Sequence, residues 1–164
     1  RAKSDSHHEL PRILASSDDL HAIDFAPFHG LRDIGWGMTA HVIYEALDNA
    51  NPASTSLMIT QNIIREHIDF DGFLVSDDIC MNALSGTMAE RTNACLDAGS
   101  DAILHCNGEM AEMIEVAQTD RRLNISARNR FDRGRAMIHT PQTFDKEEGL
   151  ARLGALLEKA AESA

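Results

Sequence analysis

The stretch Gly72-Phe73-Leu74-Val75-Ser76-Asp77-Asp78 decides the fold. Three consecutive large apolar residues, with glycine on one side and polar residues on the other, are too short for a buried helix. They suit a strand covered on both faces. Such strands belong to parallel sheets, in which a crossover, usually helical, separates each strand from the next. The residues downstream agree: Thr87-Met88-Ala89-Glu90 has capping-box spacing and opens a helix that stops at Gly99. Asp101-Ala102-Ile103-Leu104-His105 then reads as another strand, followed by a Met- and Glu-rich helix from about Glu109 to Gln118.

Upstream, Trp36-Gly37-Met38-Thr39-Ala40-His41-Val42-Ile43 is short, mostly apolar and bounded by glycine, and is expected to be a buried strand. A turn-rich connection, Asp48 to Pro52, leads to a helix marked by Met58, Ile59, Ile63, Ile64 and Ile68, with Thr55 or Ser56 as its cap. Strand starts at Gly37, Gly72 and Asp101 lie 35 and 29 residues apart, the scale of successive strand-helix units. Residues 1–11 are polar and aperiodic, hence a loop. Ser17-Asp18-Asp19 opens a helix to about Phe28, with Pro27 as a candidate early stop. Residues 126–137 and 145–164 read as helices, and Leu150, Leu153, Leu156 and Leu157 form one apolar face of the second. The expected class is α/β, either an open doubly wound sheet or a barrel. In both, chemistry gathers at the C-terminal ends of the strands, which points to His41, to Asp77 and Asp78, and to His105 through Asn107.

At 164 residues and 43% apolar content, the chain supports one core. It has neither a membrane-span pattern nor a targeting segment, so the expected compartment is the cytoplasm. Asp and Glu number 26 against 15 Lys and Arg, a formal charge of −11 that repels a phosphate backbone, so nucleic acid is not an expected partner. Cys80, Cys95 and Cys106 form an odd set without a CxxC pair, which argues against a disulfide framework or a thiolate zinc site. His41, His105, Cys106 and His7 contain no ligand pair at metal-binding spacing, and no metal is expected.

Two constellations carry possible chemistry. In an extended Asp5-Ser6-His7 segment, residues two apart point to the same side, so Asp5 can hold one imidazole nitrogen and leave the other free to move a proton. The alternative is a solvated loop. Ser76-Asp77-Asp78 ends the central strand, where a carboxylate can serve as a nucleophile, a base or a metal ligand, or can simply cap the next helix. The local pattern leaves both readings open.

Five segments together resemble the bacterial β-N-acetylglucosaminidases of glycoside hydrolase family 3. They are Asp5-Ser6-His7-His8-Glu9-Leu10-Pro11, Asp24-Phe25-Ala26-Pro27-Phe28, Met38-Thr39-Ala40-His41-Val42, Phe70 through Asp78, and Leu104-His105-Cys106-Asn107-Gly108. The resemblance implies a partial (β/α)8 TIM barrel, comprising roughly the last three strand-helix units and C-terminal helices. It makes residues 1–164 one part of a single catalytic domain, with a mobile catalytic loop (1–11), the strand-helix units (36–118) and C-terminal helices (126–164). It also implies a retaining glycosidase for terminal β-linked N-acetylglucosamine in which Asp77 is the nucleophile, His7 the general acid/base, Asp5 the residue that orients His7, and His41 a substrate-binding residue. The implied setting is cytoplasmic recycling of cell-wall muropeptides, with a carbohydrate substrate and no cofactor.

The family's Gly-His-Gly turn and Lys-His pair ahead of the catalytic loop have no counterpart here, nor do the strands whose Asp, Arg, Lys and His grip the sugar. The chain begins at Arg1 and is expected to be a C-terminal fragment with little or no activity alone. The rival expectations are a non-catalytic half-barrel interaction module and a barrel enzyme of another chemistry.

Overall fold

The computed structural model describes residues 1–141 and 143–162. Its centre is a three-stranded parallel sheet in the order β2 (Trp36–Met38), β4 (Phe73–Asp78), β5 (Ala102–Leu104). These are the three strands expected from the spacing, neighbours in chain order, as in a barrel wall. Trp36 pairs with Phe73 and Met38 with Val75, while Val75 pairs with Ala102 and Asp78 with Leu104. The register shifts between Val75 and Asp78, so an irregularity falls where the acidic residues leave the strand.

The crossovers follow from local sequence. Ser56 Oγ accepts the Ile59 N–H and starts a helical run that is π-type over Ile59–His67. Thr87 and Glu90 form the full capping box of α2 (Met88–Asp97), which ends at Gly99, whose φ of +102° suits glycine. Helix α3 (Met110–Gln118) follows β5. Helix α4 (Ile125–Ala136) is capped by Asn124, and α5 spans Lys146–Glu162. Ser163 and Ala164, at the end of the expected last helix, lie outside the described residues.

One buried cluster, including Ile13, Leu20, Phe25, Ile59, Ile63 and Leu74, joins the N-terminal helix to the sheet. A second, of Ile79, Leu84 and Cys95, lies under α2. At the N-terminal end of the sheet the Asp101 carboxylate is 4% exposed and meets Arg65 at 3.2 Å, Arg130 at 3.0 Å and the Leu74 N–H at 2.9 Å. Arg65 also donates to the carbonyls of Phe70 and Gly72. This knot ties the 59–67 helix, β4 and α4 together at the end of the sheet remote from the candidate chemistry.

Several details differ from the sequence expectation. Residues 36–43 do not form one strand: the chain turns at Ala40–Val42, and Ile43–Tyr44 becomes β3, paired in parallel with β1 (Arg12–Ile13). The break lets His41 turn inward to polar partners that a straight strand would deny it. The helix from Ser17 begins as α1 (Ser17–Asp19), becomes π-type over Leu20–Phe25 and 3-10 over Ala26–Leu31. Pro27 falls at the start of the 3-10 turn, where its missing N–H costs nothing, and the helix continues. Met110 and Met113 on the Met- and Glu-rich helix face solvent, and the leucine face of α5 is also exposed. Among the described residues β2 pairs only with β4, and β5 only with β4, so both sheet edges are open.

Candidate active site

The C-terminal end of β4 separates its two carboxylates. Asp77 Oδ1 accepts the N–H of Asp78 at 2.8 Å, and the Ser76 hydroxyl donates to the Asp77 carbonyl at 2.7 Å. Helix α2 is capped by Thr87, ten residues further on, so Asp77 does not cap that helix. Asp78 Oδ1 instead accepts the N–H groups of Cys80 (3.0 Å) and Cys106 (3.1 Å), joining the loops after β4 and β5. Partial burial pushes the Asp78 carboxyl upward, but hydrogen bonding from Cys80 and then Cys106 outweighs this and holds it below the ordinary carboxylate range. Asp78 is a brace. Asp77, half-buried, carries the less committed carboxylate.

The Asp5–His7 pair forms by a route different from the extended segment expected. The chain turns there: the Asp5 carbonyl accepts the N–H groups of His8 and Glu9. Asp5 Oδ1 accepts both the His7 backbone N–H (2.9 Å) and Nδ1–H (2.8 Å), so one Asx turn fixes main chain and ring together. The neutral ring then carries its proton on Nδ1 and leaves Nε2 free as an acceptor. The Asp5 hydrogen bond and then its charge raise the His7 pKa above the ordinary value, with further upward contributions from Asp77 and Asp78. The loop therefore lies within electrostatic reach of the β4 end. Hydrogen bonds from the His7 backbone and then its ring hold Asp5 below the ordinary carboxylate range.

His41 is 1% exposed, with Nδ1 2.6 Å from Ser54 Oγ and Nε2 2.9 Å from the Asp78 carbonyl. A carbonyl only accepts, so Nε2–H donates to it, and in the neutral ring Nδ1 accepts the Ser54 hydroxyl proton. Both nitrogens are engaged within the protein. His41 thus braces the strand end through both ring nitrogens. Asp5, Ser6, Asp24, Ala40, His41 and Tyr44 border a recess of about 350 Å³ beside the N-terminal loop.

The sequence reading did not bring Cys80 and Glu112 together with His105. Their ligand atoms all lie within 4.8 Å of one another, and this is the group of three among the described residues able to hold a metal ion. Their separations of 32 and 7 residues carry no motif signal, because only the folded ends of β4 and β5 make them neighbours.

Parallel strands joined by helices, with the paired carboxylates at a C-terminal strand end, define part of an α/β barrel. The model of the glycosyl hydrolase family 3 N-terminal domain matches residues 1–151, and the chain belongs to that family. It is 38% identical over 135 residues to a beta-hexosaminidase of Thiobacillus denitrificans, covering 79% of this chain and 37% of that protein. A beta-hexosaminidase of Nitrosomonas eutropha is 31% identical over 156 residues, covering 92% of this chain and 44% of the relative. The chain therefore spans less than half the length of either. Among solved structures, NagZ from Neisseria gonorrhoeae in complex with N-trifluoroacetyl-D-glucosamine superposes with a TM-score of 0.69 at 31% identity, covering 80% of this chain and 39% of that one.

Proposed function

We propose that this sequence supplies the nucleophile and the acid/base of a retaining glycosidase that releases terminal β-linked N-acetylglucosamine. The reading is carried by one observation: the turn that fixes His7 Nδ1 on Asp5 leaves Nε2 free, on a loop whose charge state responds to Asp77. The names of the beta-hexosaminidase relatives, and the glucosamine derivative held by the NagZ structure, support the sugar class.

In the first step Asp77 attacks the anomeric carbon while His7 imidazolium gives its Nε2 proton to the departing glycosidic oxygen. In the second, neutral His7 takes a proton from water as that water attacks the glycosyl ester, and Asp77 leaves as carboxylate. Two inversions at one carbon give net retention. Asp5 remains a carboxylate throughout and fixes the working tautomer. His41 and Asp78 hold the strand end on which Asp77 sits. The chemistry needs no cofactor.

The natural substrate in this reading is a muropeptide bearing N-acetylglucosamine on an anhydro-muramic sugar, and the setting is cytoplasmic cell-wall recycling. No helix among the described residues is long and apolar enough to cross a membrane. The isolated chain is expected to turn over little or nothing. His7 and Asp5 side chains are 71% and 60% exposed, and water at the site screens the interactions that must stabilise a transition state.

The test is hydrolysis of 4-nitrophenyl N-acetyl-β-glucosaminide by this chain alone and by a complete barrel containing it. Turnover by the complete barrel, lost on Asp77→Ala, supports the proposal. An inactive but folded complete barrel overturns it.

A further inference from the structure

We propose that Cys80, His105 and Glu112 form a binding site for one divalent cation of the zinc class. The three come from different elements: Cys80 follows β4, His105 follows β5, and Glu112 lies in the first turn of α3. Cys80 Sγ is 3.8 Å from Glu112 Oε2, and His105 Nε2 is 3.0 Å from the same oxygen. In a tetrahedral zinc site with ordinary bond lengths, sulfur, nitrogen and oxygen ligands stand roughly 3.3–3.6 Å apart. The two separations to Glu112 bracket that range and the Cys80–His105 pair lies within 4.8 Å, so binding draws the three side chains together, with Glu112, one-third exposed, the freest to move.

The donor chemistry selects the ion. A thiolate and an imidazole are poor partners for magnesium or calcium, which take oxygen ligands, and good ones for zinc or cobalt. Thiolate, carboxylate and neutral imidazole together offset the two positive charges of the ion. Three protein ligands leave a fourth position for water, reached past the partly exposed Glu112.

The surroundings are arranged as for a metal site. The Asn107 side-chain amide donates to Glu112 Oε2 at 2.8 Å and fixes the carboxylate. The His105 side chain is 8% exposed, and its Nδ1 is buried with no partner among the described residues, so Glu112 is the only hydrogen-bond partner of that ring and Nε2 is the atom it presents. Binding replaces the Cys80 S–H and the His105–Glu112 hydrogen bond with three metal bonds, releases the thiol proton to solvent and requires the His105 ring proton, which Nε2 now donates to Glu112, to stand on Nδ1 instead. The ion then clamps the loops after β4 and β5, next to Asp77 and Asp78. This site stands apart from the glycosidase reading and does not require it.

Cobalt(II) added to the reduced, purified chain reads the ligand set directly. One equivalent is expected to give a thiolate-to-cobalt charge-transfer band with tetrahedral d–d absorption, both erased by zinc. Cys80→Ser removes the charge-transfer band, whereas Cys106→Ser and Cys95→Ser retain it. Asn107→Ala weakens binding about ten- to a hundredfold. A chain that shows no thiolate band, or a band that survives Cys80→Ser, overturns the proposal. Should Cys80→Ser disturb the fold, X-ray absorption on the zinc-loaded unsubstituted chain decides. One sulfur and one imidazole around the ion support the site, and any other sulfur count overturns it.

Discussion

Asp5 Oδ1 is shared between two donors of one residue, the backbone N–H and the Nδ1–H of His7, at 2.9 and 2.8 Å. A single carboxylate oxygen thus sets the loop conformation, the tautomer and the charge preference of the imidazole. The bond and the Asp5 charge raise the His7 pKa, so the imidazolium persists to higher pH than in a free peptide. The sign follows. The stability this pair adds is complete below the ordinary histidine value of 6.5 and fades as pH rises through the raised one. Asp5→Asn should shift the His7 titration to lower pH, followed by NMR of its ring protons in this chain. An unchanged midpoint contradicts the assignment.

In a complete, active barrel the same substitution should move the alkaline limb of kcat/KM toward lower pH, because the proton donor is then lost earlier. The acidic limb is governed by other groups. A shift of the alkaline limb upward, or none, contradicts the role given to Asp5.

His41 offers a test between bracing and sugar binding. His41→Ala leaves the Ser54 hydroxyl and the Asp78 carbonyl without their partner and opens a buried hole, costing about 3 kcal/mol of stability. In an active barrel a displaced strand end lowers kcat while KM changes little. A rise in KM at constant kcat instead marks His41 as a substrate contact.

Asp101 holds the opposite end of the sheet. Asp101→Ala leaves Arg65, largely buried, without its carboxylate, and should cost about 3–5 kcal/mol in urea unfolding. Thr87→Ala removes one half of the α2 capping box and should cost about 1 kcal/mol. Equal costs for the two would show that the Asp101 knot is not the stronger tie.

What the sequence disclosed follows from physical range. The apolar run at Phe73–Val75, the Thr87–Glu90 box and the Gly99 stop are local signals, and each appears in the structure where it was read. The break after Met38 was hidden, because the apolar residues on both sides of His41 look like one strand until its ring finds Ser54 and the Asp78 carbonyl. The two-residue strands at Arg12–Ile13 and Ile43–Tyr44 are too short to show a period. Asp5 and His7 were legible as a pair from spacing, though the turn that joins them was not. Cys80, His105 and Glu112 meet only through the pairing of β4 with β5, which no local pattern records.

The most direct measurement is mass spectrometry of a complete barrel carrying this sequence after incubation with a slow fluorinated N-acetylglucosaminide analogue. The account predicts one glycosyl group esterified to Asp77, absent from Asp77→Ala and accumulating further when His7→Ala slows its hydrolysis. A label on Asp78, or on any residue other than Asp77, contradicts it.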